Sequence, residues 1–138
     1  MKLILVCVNK DIVPSISYSM KEFEGKVTIK YVQKIALLRD AVLREDNLGA
    51  LILDAQVDQT STTDIAKQIK AERPNTKILF IASSDTSKDE LIQCIQSKLF
   101  ASVLVRPFTA EKLSDSIYTI CGFEKPKSMW FDSKKIKQ

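Results

Sequence analysis

Seven polar side chains in this 138-residue sequence stand where an apolar run ends. Asn9, Lys10 and Asp11 follow the run from Leu3 to Val8, and Asp54 closes L-I-L-D at 51–54. Ser83 and Ser84 follow I-L-F-I-A, and Arg106 follows V-L-V. Their types limit the chemistry. A carboxylate at such a place serves as a nucleophile, a hydrogen-bond acceptor or an oxygen ligand for a hard cation, and Asp11 and Asp54 are the acids available for it. Arg106 offers a planar fork that matches a carboxylate, while Lys10 offers a point charge. Each serine hydroxyl either holds a phosphate or caps the helix that follows. Asp54 itself reads in two ways, as the centre of a site or as a solvated carboxylate with no role.

The sequence contains no histidine. Ser-His-Asp and Cys-His nucleophilic sites, His-ligated metals and histidine phosphotransfer are therefore excluded. Cys7, Cys94 and Cys121 form no C-x-x-C pair, and each sits among apolar neighbours. The expectation is three core thiols, with neither a disulfide framework nor a zinc site. Neither G-x-G-x-x-G nor G-x-x-x-x-G-K occurs, so a glycine-rich nucleotide loop has no support.

Short apolar runs alternate with segments of helical period, as repeated β-α units forming a parallel sheet require. The runs are Leu3 to Val8, Val27 to Val32, Ala50 to Leu53, Ile78 to Ala82 and Val103 to Val105. The second alternates as V-T-I-K-Y-V and reads as an outer strand with one face less covered. Helices are expected over Asp11 to Phe23, Lys34 to Glu45, Thr62 to Glu72, Ser87 to Lys98 and Ala110 to Cys121. Ile35, Leu38, Ala41 and Val42 form the buried stripe of the second, and Leu91, Ile92 and Ile95 that of the fourth. Ser87 with Glu90 makes a capping box, Thr109 caps the last helix, and Pro14 fits in the first turn of its helix. Gly49 suits a turn before the third strand.

Five β-α units of this size imply an α/β fold of flavodoxin-like (βα)5 type, a three-layer sandwich around a five-stranded parallel sheet. In that arrangement ligands bind at the carboxyl ends of the strands, where the seven polar residues lie. Over residues 1–121 this set resembles the receiver domain of bacterial response regulators, the CheY-like family. The most specific piece is L-V-R-P-F at 104–108, similar to the family's Lys-Pro-Phe with Arg106 in place of the lysine. L-I-L-D at 51–54 is similar to its third-strand ending, which makes Asp54 the match to the phosphorylated aspartate. Ser84 matches the hydroxyl position by spacing and Ser83 by strand alignment.

The resemblance implies a strand order of 2-1-3-4-5 and a site where a carboxylate accepts a phosphoryl group with Mg²⁺ bridging the oxygens. The family's acidic pair after the first strand is missing. Asn9 and Lys10 hold those places, or Cys7 and Val8 in another register. The family's pocket carries three carboxylates and a lysine, whereas Asp54 with Lys10 and Arg106 gives +1. A dication is opposed there, the more so as the effective dielectric falls. No cofactor is expected, with Mg²⁺ on Asp11 and Asp54 only if an orthodox site is rebuilt. Lys10 or Arg106 is expected to pair with Asp54 instead. Val103 occupies the place of the family's switching aromatic. With Pro107 and Phe108 it belongs to the interaction face of the fourth helix, fifth strand and fifth helix, also a face for a homodimer.

Composition supports a folded chain, with 45% apolar and 28% charged residues near the globular average. The net charge of +4 is concentrated in residues 124–138, where five lysines meet Glu124 and Asp132. A nearly neutral body argues against a dedicated nucleic-acid binder. The basic tail, taken as 122–138, carries Trp130 beside Met129 and Phe131. It reads equally as a linker folding back on the body or as a docking segment. No apolar run reaches the length of a membrane span and no signal-peptide cleavage site follows the first run, so a cytoplasmic protein is expected. The leading expectation is a non-enzymatic, atypical receiver-like module in two-component-type signalling that acts by binding another signalling protein. An orthodox receiver phosphorylated on Asp54, and a flavodoxin-like small-ligand binder, are the alternatives.

Overall fold

Strands of β-branched and aliphatic residues form the centre of the chain, and each is followed by a segment that can cover it. A computed structural model describes residues 2–125, so Trp130, Phe131 and the rest of the basic tail from residue 126 lie outside the described residues. The strands are β1 (Lys2–Cys7), β2 (Val27–Tyr31), β3 (Leu48–Asp54), β4 (Gln56–Val57), β5 (Thr60–Ser61), β6 (Lys77–Ala82) and β7 (Ser102–Val105). The helices are α1 (Val13–Met20), α2 (Ile35–Arg44), α3 (Thr63–Glu72), α4 (Lys88–Gln96) and α5 (Ala110–Cys121). Five parallel strands form one sheet in the order β2-β1-β3-β6-β7, the 2-1-3-4-5 arrangement expected for the five main strands.

Alternate residues of β1 divide the core into two layers, as a period of two dictates. Ile4 and Val6, with Val8 just beyond the strand, meet α1 and α5 through Ile16, Met20, Leu113 and Ile117. Leu3, Leu5 and Cys7 meet α2 and α3 through Leu38, Val42, Ala66 and Ile69. The inner strands bury both faces, which is why they read as continuous apolar runs, whereas the edge strand β2 leaves Thr28, Lys30 and Tyr31 exposed.

The first expected helix is split into a 3-10 turn at Lys10–Ile12, α1, and a second 3-10 turn at Lys21–Phe23. Pro14 sits in the first turn of α1, where its missing N–H costs nothing. Ser87 and Thr109 cap α4 and α5 as expected, accepting from the backbone N–H of Glu90 and Lys112 at 3.1 Å each. α5 ends at Gly122, whose φ of 73° suits glycine, and Phe123 folds back to stack on Phe23 with ring centroids 6.3 Å apart.

Two expectations need correction. Ile92 and Ile95 do not face the sheet: they are 41% and 63% exposed, and Leu91 with Cys94 turns inward. The two pairs are one residue, about 100°, apart on the helix, so both cannot share a buried stripe. Gly49 lies inside β3 rather than in a turn. Leu3 pairs with Leu48 and Ile4 with Ala50, which leaves Gly49 as the extra residue of a bulge, and a Cβ there would stand 3.1 Å from the Lys2 side chain. Residues 56–61, for which the sequence carried no expectation, form a β4–β5 hairpin. Asp58 and Gln59 both take positive φ, 52° and 66°, as a two-residue primed turn requires.

Candidate functional site

The carboxyl ends of β1, β3, β6 and β7 bring the polar residues together around Asp54. Asp54 is the last residue of β3 and is 2% exposed, paired in the sheet with Ile81 of β6. A buried carboxylate must be satisfied or it destabilises the fold. Two donors reach its Oδ2: the backbone N–H of Asn9, at 3.1 Å, and Nη2 of Arg106. Arg106 stands one residue beyond β7, where its own N–H donates to the carbonyl of Ala82 at 3.0 Å, and this fixes the base of its side chain beside β6.

The other arm of the guanidinium, Nη1, donates to Oδ2 of Asp11 at 2.7 Å. One fork thus spans a buried and an exposed carboxylate, the Asp11 side chain being 64% exposed. Partial burial would lower the Arg106 pKa, but the hydrogen bond with Asp11 and the charges of Asp54 and Asp11 outweigh it and raise it. The guanidinium is charged at every accessible pH.

Lys10 does not join this group. It is exposed and makes no ion pair with Asp54. Of the two cations expected as partners, Arg106 alone pairs with Asp54, and Asp11 enters in place of Lys10. Two carboxylates against one guanidinium give the group a formal charge of −1, where the residue types had suggested +1. Among the described residues, no three His, Cys, Asp or Glu side chains are grouped to hold a metal ion.

Asn9 is a junction. Its backbone N–H serves Asp54, while its side-chain amide donates to the carbonyl of Gln56 at 2.7 Å and accepts from the N–H of Asp58 at 3.2 Å. The β4–β5 hairpin is thereby clamped to the end of β1. On the other side Thr62, fully buried, directs its hydroxyl at the carbonyls of Asp54 and Ala55, 2.5 and 3.1 Å away. This ties the end of β3 to the start of α3. The hydroxyl of Ser83 meets that of Thr86 at 3.1 Å, and the Ser83 N–H donates to the same Thr86 oxygen. Ser84 is exposed. Neither serine caps α4, a role filled by Ser87, and neither contacts Asp54.

Val103 is half-buried against α4's side of the core, and Phe108 is half-buried against the α1–α5 layer. Pro107 is exposed. The exposed apolar residues on this edge are Ile92, Ile95 and Val105.

Thr62, Thr86 and the hairpin were not singled out from the sequence. Thr86 had a local signal, a hydroxyl three residues beyond Ser83. The hairpin had only β-branched Val57 and Thr60 flanking Asp-Gln, because Gln59 is a poor marker of a left-handed turn.

Cys7 lies directly beneath the site. Burial, then the charges of Asp54 and Asp58, pushes its thiol up to about 11, so it is uncharged at neutral pH. Cys121 is also buried and raised by burial, whereas Cys94 is half-buried. Under native conditions iodoacetamide is expected to label Cys94 first, and Cys7 and Cys121 only after denaturant is added, as peptide mapping would read out. Labelling of Cys7 in the native protein would contradict this burial.

Neither a family model nor a curated protein matches the sequence. Solved structures do match the fold. A response regulator receiver domain protein from Clostridium thermocellum superposes with a TM-score of 0.73 at 19% identity, covering 88% of this chain and 95% of that one. The non-phosphorylated HemR receiver domain from Leptospira biflexa gives 0.71 at 14% identity, covering 91% and 98%. The beryllofluoride-activated NtrC4 receiver domain dimer gives 0.75 at 20% identity, covering 88% and 98%. These likenesses establish a receiver-type fold. No helix among the described residues is long and apolar enough to cross a membrane.

Proposed function

We propose that this domain is an atypical receiver-like module of two-component-type signalling, one that acts by binding another signalling protein and is not switched by Mg²⁺-dependent phosphorylation of Asp54. The observation that carries the reading is the Arg106 fork, which engages Asp54 and Asp11 at once. In the receiver family a carboxylate attacks phosphorus while a dication neutralises the oxygens. Mg²⁺ needs carboxylate oxygens as ligands. Here both acids at the site already balance a guanidinium, and the position that follows β1 supplies an amide and an exposed lysine rather than acids. That donor set does not fit a hard dication.

The same fork weakens Asp54 as a nucleophile: two donors converge on Oδ2, one of them a guanidinium, so negative charge needed to attack phosphorus is already drawn to N–H groups. The arrangement holds the strand ends in one state, and the domain turns nothing over by itself.

Binding is then the remaining output, and we assign it to the α4–β7–α5 edge. Ile92, Ile95 and Val105 are exposed there, and exposed apolar side chains at one edge favour a protein partner. The NtrC4 neighbour, solved as a dimer, makes a second copy of the chain one candidate partner.

Incubation of the full chain with acetyl phosphate and Mg²⁺, followed by intact-mass and peptide measurement, is expected to leave Asp54 unmodified. A stoichiometric aspartyl-phosphate at Asp54 would overturn the proposal and restore the orthodox receiver.

A further inference from the structure

A cleft of about 550 Å³ opens beside the Asp54 group, between the ends of β1 and β2 and the β4–β5 hairpin. Its apolar wall is formed by Val8, Val13, Val32 and Val57. Its rim carries Lys10 and Lys34, both exposed, which make no ion pair among the described residues. Asp58 also stands at the rim, so two ammonium groups oppose one carboxylate. The local formal charge is +1.

We infer that this cleft is a binding site for a small amphipathic monoanion, an aromatic or branched apolar body bearing one carboxylate or sulfonate group. Three observations support that class. The volume lies in the range of small-molecule sites, roughly 300–1,000 Å³. The wall is aliphatic, suited to an apolar body, and the two lysines are free to meet one anionic head. The cleft also lies at the carboxyl ends of β1 and β2, on the side of the sheet where open α/β folds bind ligands.

The placement gives the ligand access to the rest of the domain. Val57 and Asp58 belong to the hairpin that Asn9 clamps, and Asn9 is the residue whose N–H holds Asp54. A ligand seated against the hairpin would therefore touch the element that shares Asn9 with the Asp54 group. The inference does not depend on whether Asp54 is phosphorylated.

The test uses the full chain and 8-anilinonaphthalene-1-sulfonate, an aromatic monoanion, followed by fluorescence and by amide chemical-shift mapping. Saturable one-to-one binding is expected, with shifts confined to residues 8–13, 31–34 and 56–59. The K10E/K34E variant should bind at least tenfold more weakly, and both positions are exposed, so the fold is preserved. Ile95→Glu, on the α4 edge, should leave binding unchanged. Naphthalenesulfonate and naphthoic acid should compete, the stronger identifying the preferred head group, while neutral naphthalenemethanol should not. No binding, binding that K10E/K34E leaves intact, or binding lost in Ile95→Glu would each overturn the inference.

Discussion

Arg106→Met is expected to destabilise the domain by about 3 kcal/mol, read as a fall in the urea midpoint at unchanged slope. The substitution keeps much of the side-chain volume and removes the charge, which leaves Asp54 2% exposed with only the Asn9 N–H as a donor. Breaking a buried ion pair from one side typically costs about 3–5 kcal/mol, because an uncompensated charge stays in a poorly solvated place. The low end applies here, since the Arg106 side chain is 22% exposed and water can reach part of the vacated position. Asp11 should contribute little, being mostly solvated. The double variant Asp54→Asn with Arg106→Met is therefore expected to recover most of the loss, since neither buried charge remains. If the single variant were as stable as the parent, the fork would not be holding Asp54, and the proposed function would lose its carrying observation.

Phe23→Ala is expected to cost about 4 kcal/mol by the same measurement, and to loosen α5 specifically. Phe23 is fully buried at the end of the second 3-10 turn, with its ring 4.8 Å from that of Tyr118 and tilted by 58°. The ring also stacks against Phe123 just beyond α5. Its neighbour Glu22 accepts from the hydroxyls of Ser114 and Tyr118, the latter at 2.8 Å, and this bond with Tyr118 raises the phenol's pKa. Removing the ring opens a cavity between α1 and α5 that neither helix can close without breaking those bonds. Phe23→Leu, which refills much of the volume, should cost only about 1 kcal/mol. Faster amide exchange in α5 than in α2 or α3 would localise the effect.

The proposed partner face and the core meet at the α4–β7 edge. Ile92 and Ile95 contribute little to burial, so polar replacements there should spare the fold while removing apolar contact surface. The stability of the domain comes instead from the two layers either side of β1 and β3, where every inner-strand side chain from Ala50 to Leu53 is fully buried.

Local pattern was enough for the architecture. Continuous apolar runs such as Leu3 to Val8 can be accommodated only by strands covered on both faces, and helical segments between them demand parallel connections, so a five-stranded parallel sheet followed, while the strand order came from the family resemblance. Caps were equally legible, because Ser87 and Thr109 act on N–H groups three residues away. The same local reasoning marked Asp54 and Arg106 as residues at strand ends on one side of the sheet. What it could not decide was which charges meet. Asp54 has Lys10, Asp11 and Arg106 within the same set of strand-end positions, and the choice depends on side-chain direction after each strand leaves the sheet. Tertiary structure turned Arg106 towards Asp54 and brought the exposed Asp11 to its other arm, sent Lys10 to the rim of a separate cleft, and inserted a hairpin held by Asn9. Ile92 and Ile95 were decided in the same way, since a short helix with two apolar pairs offset by one residue has two possible buried faces. The physical reason is common to all of these: periodicity specifies which backbone segments are covered, whereas the partner of a charged or surplus apolar side chain is set by contacts between segments distant in sequence.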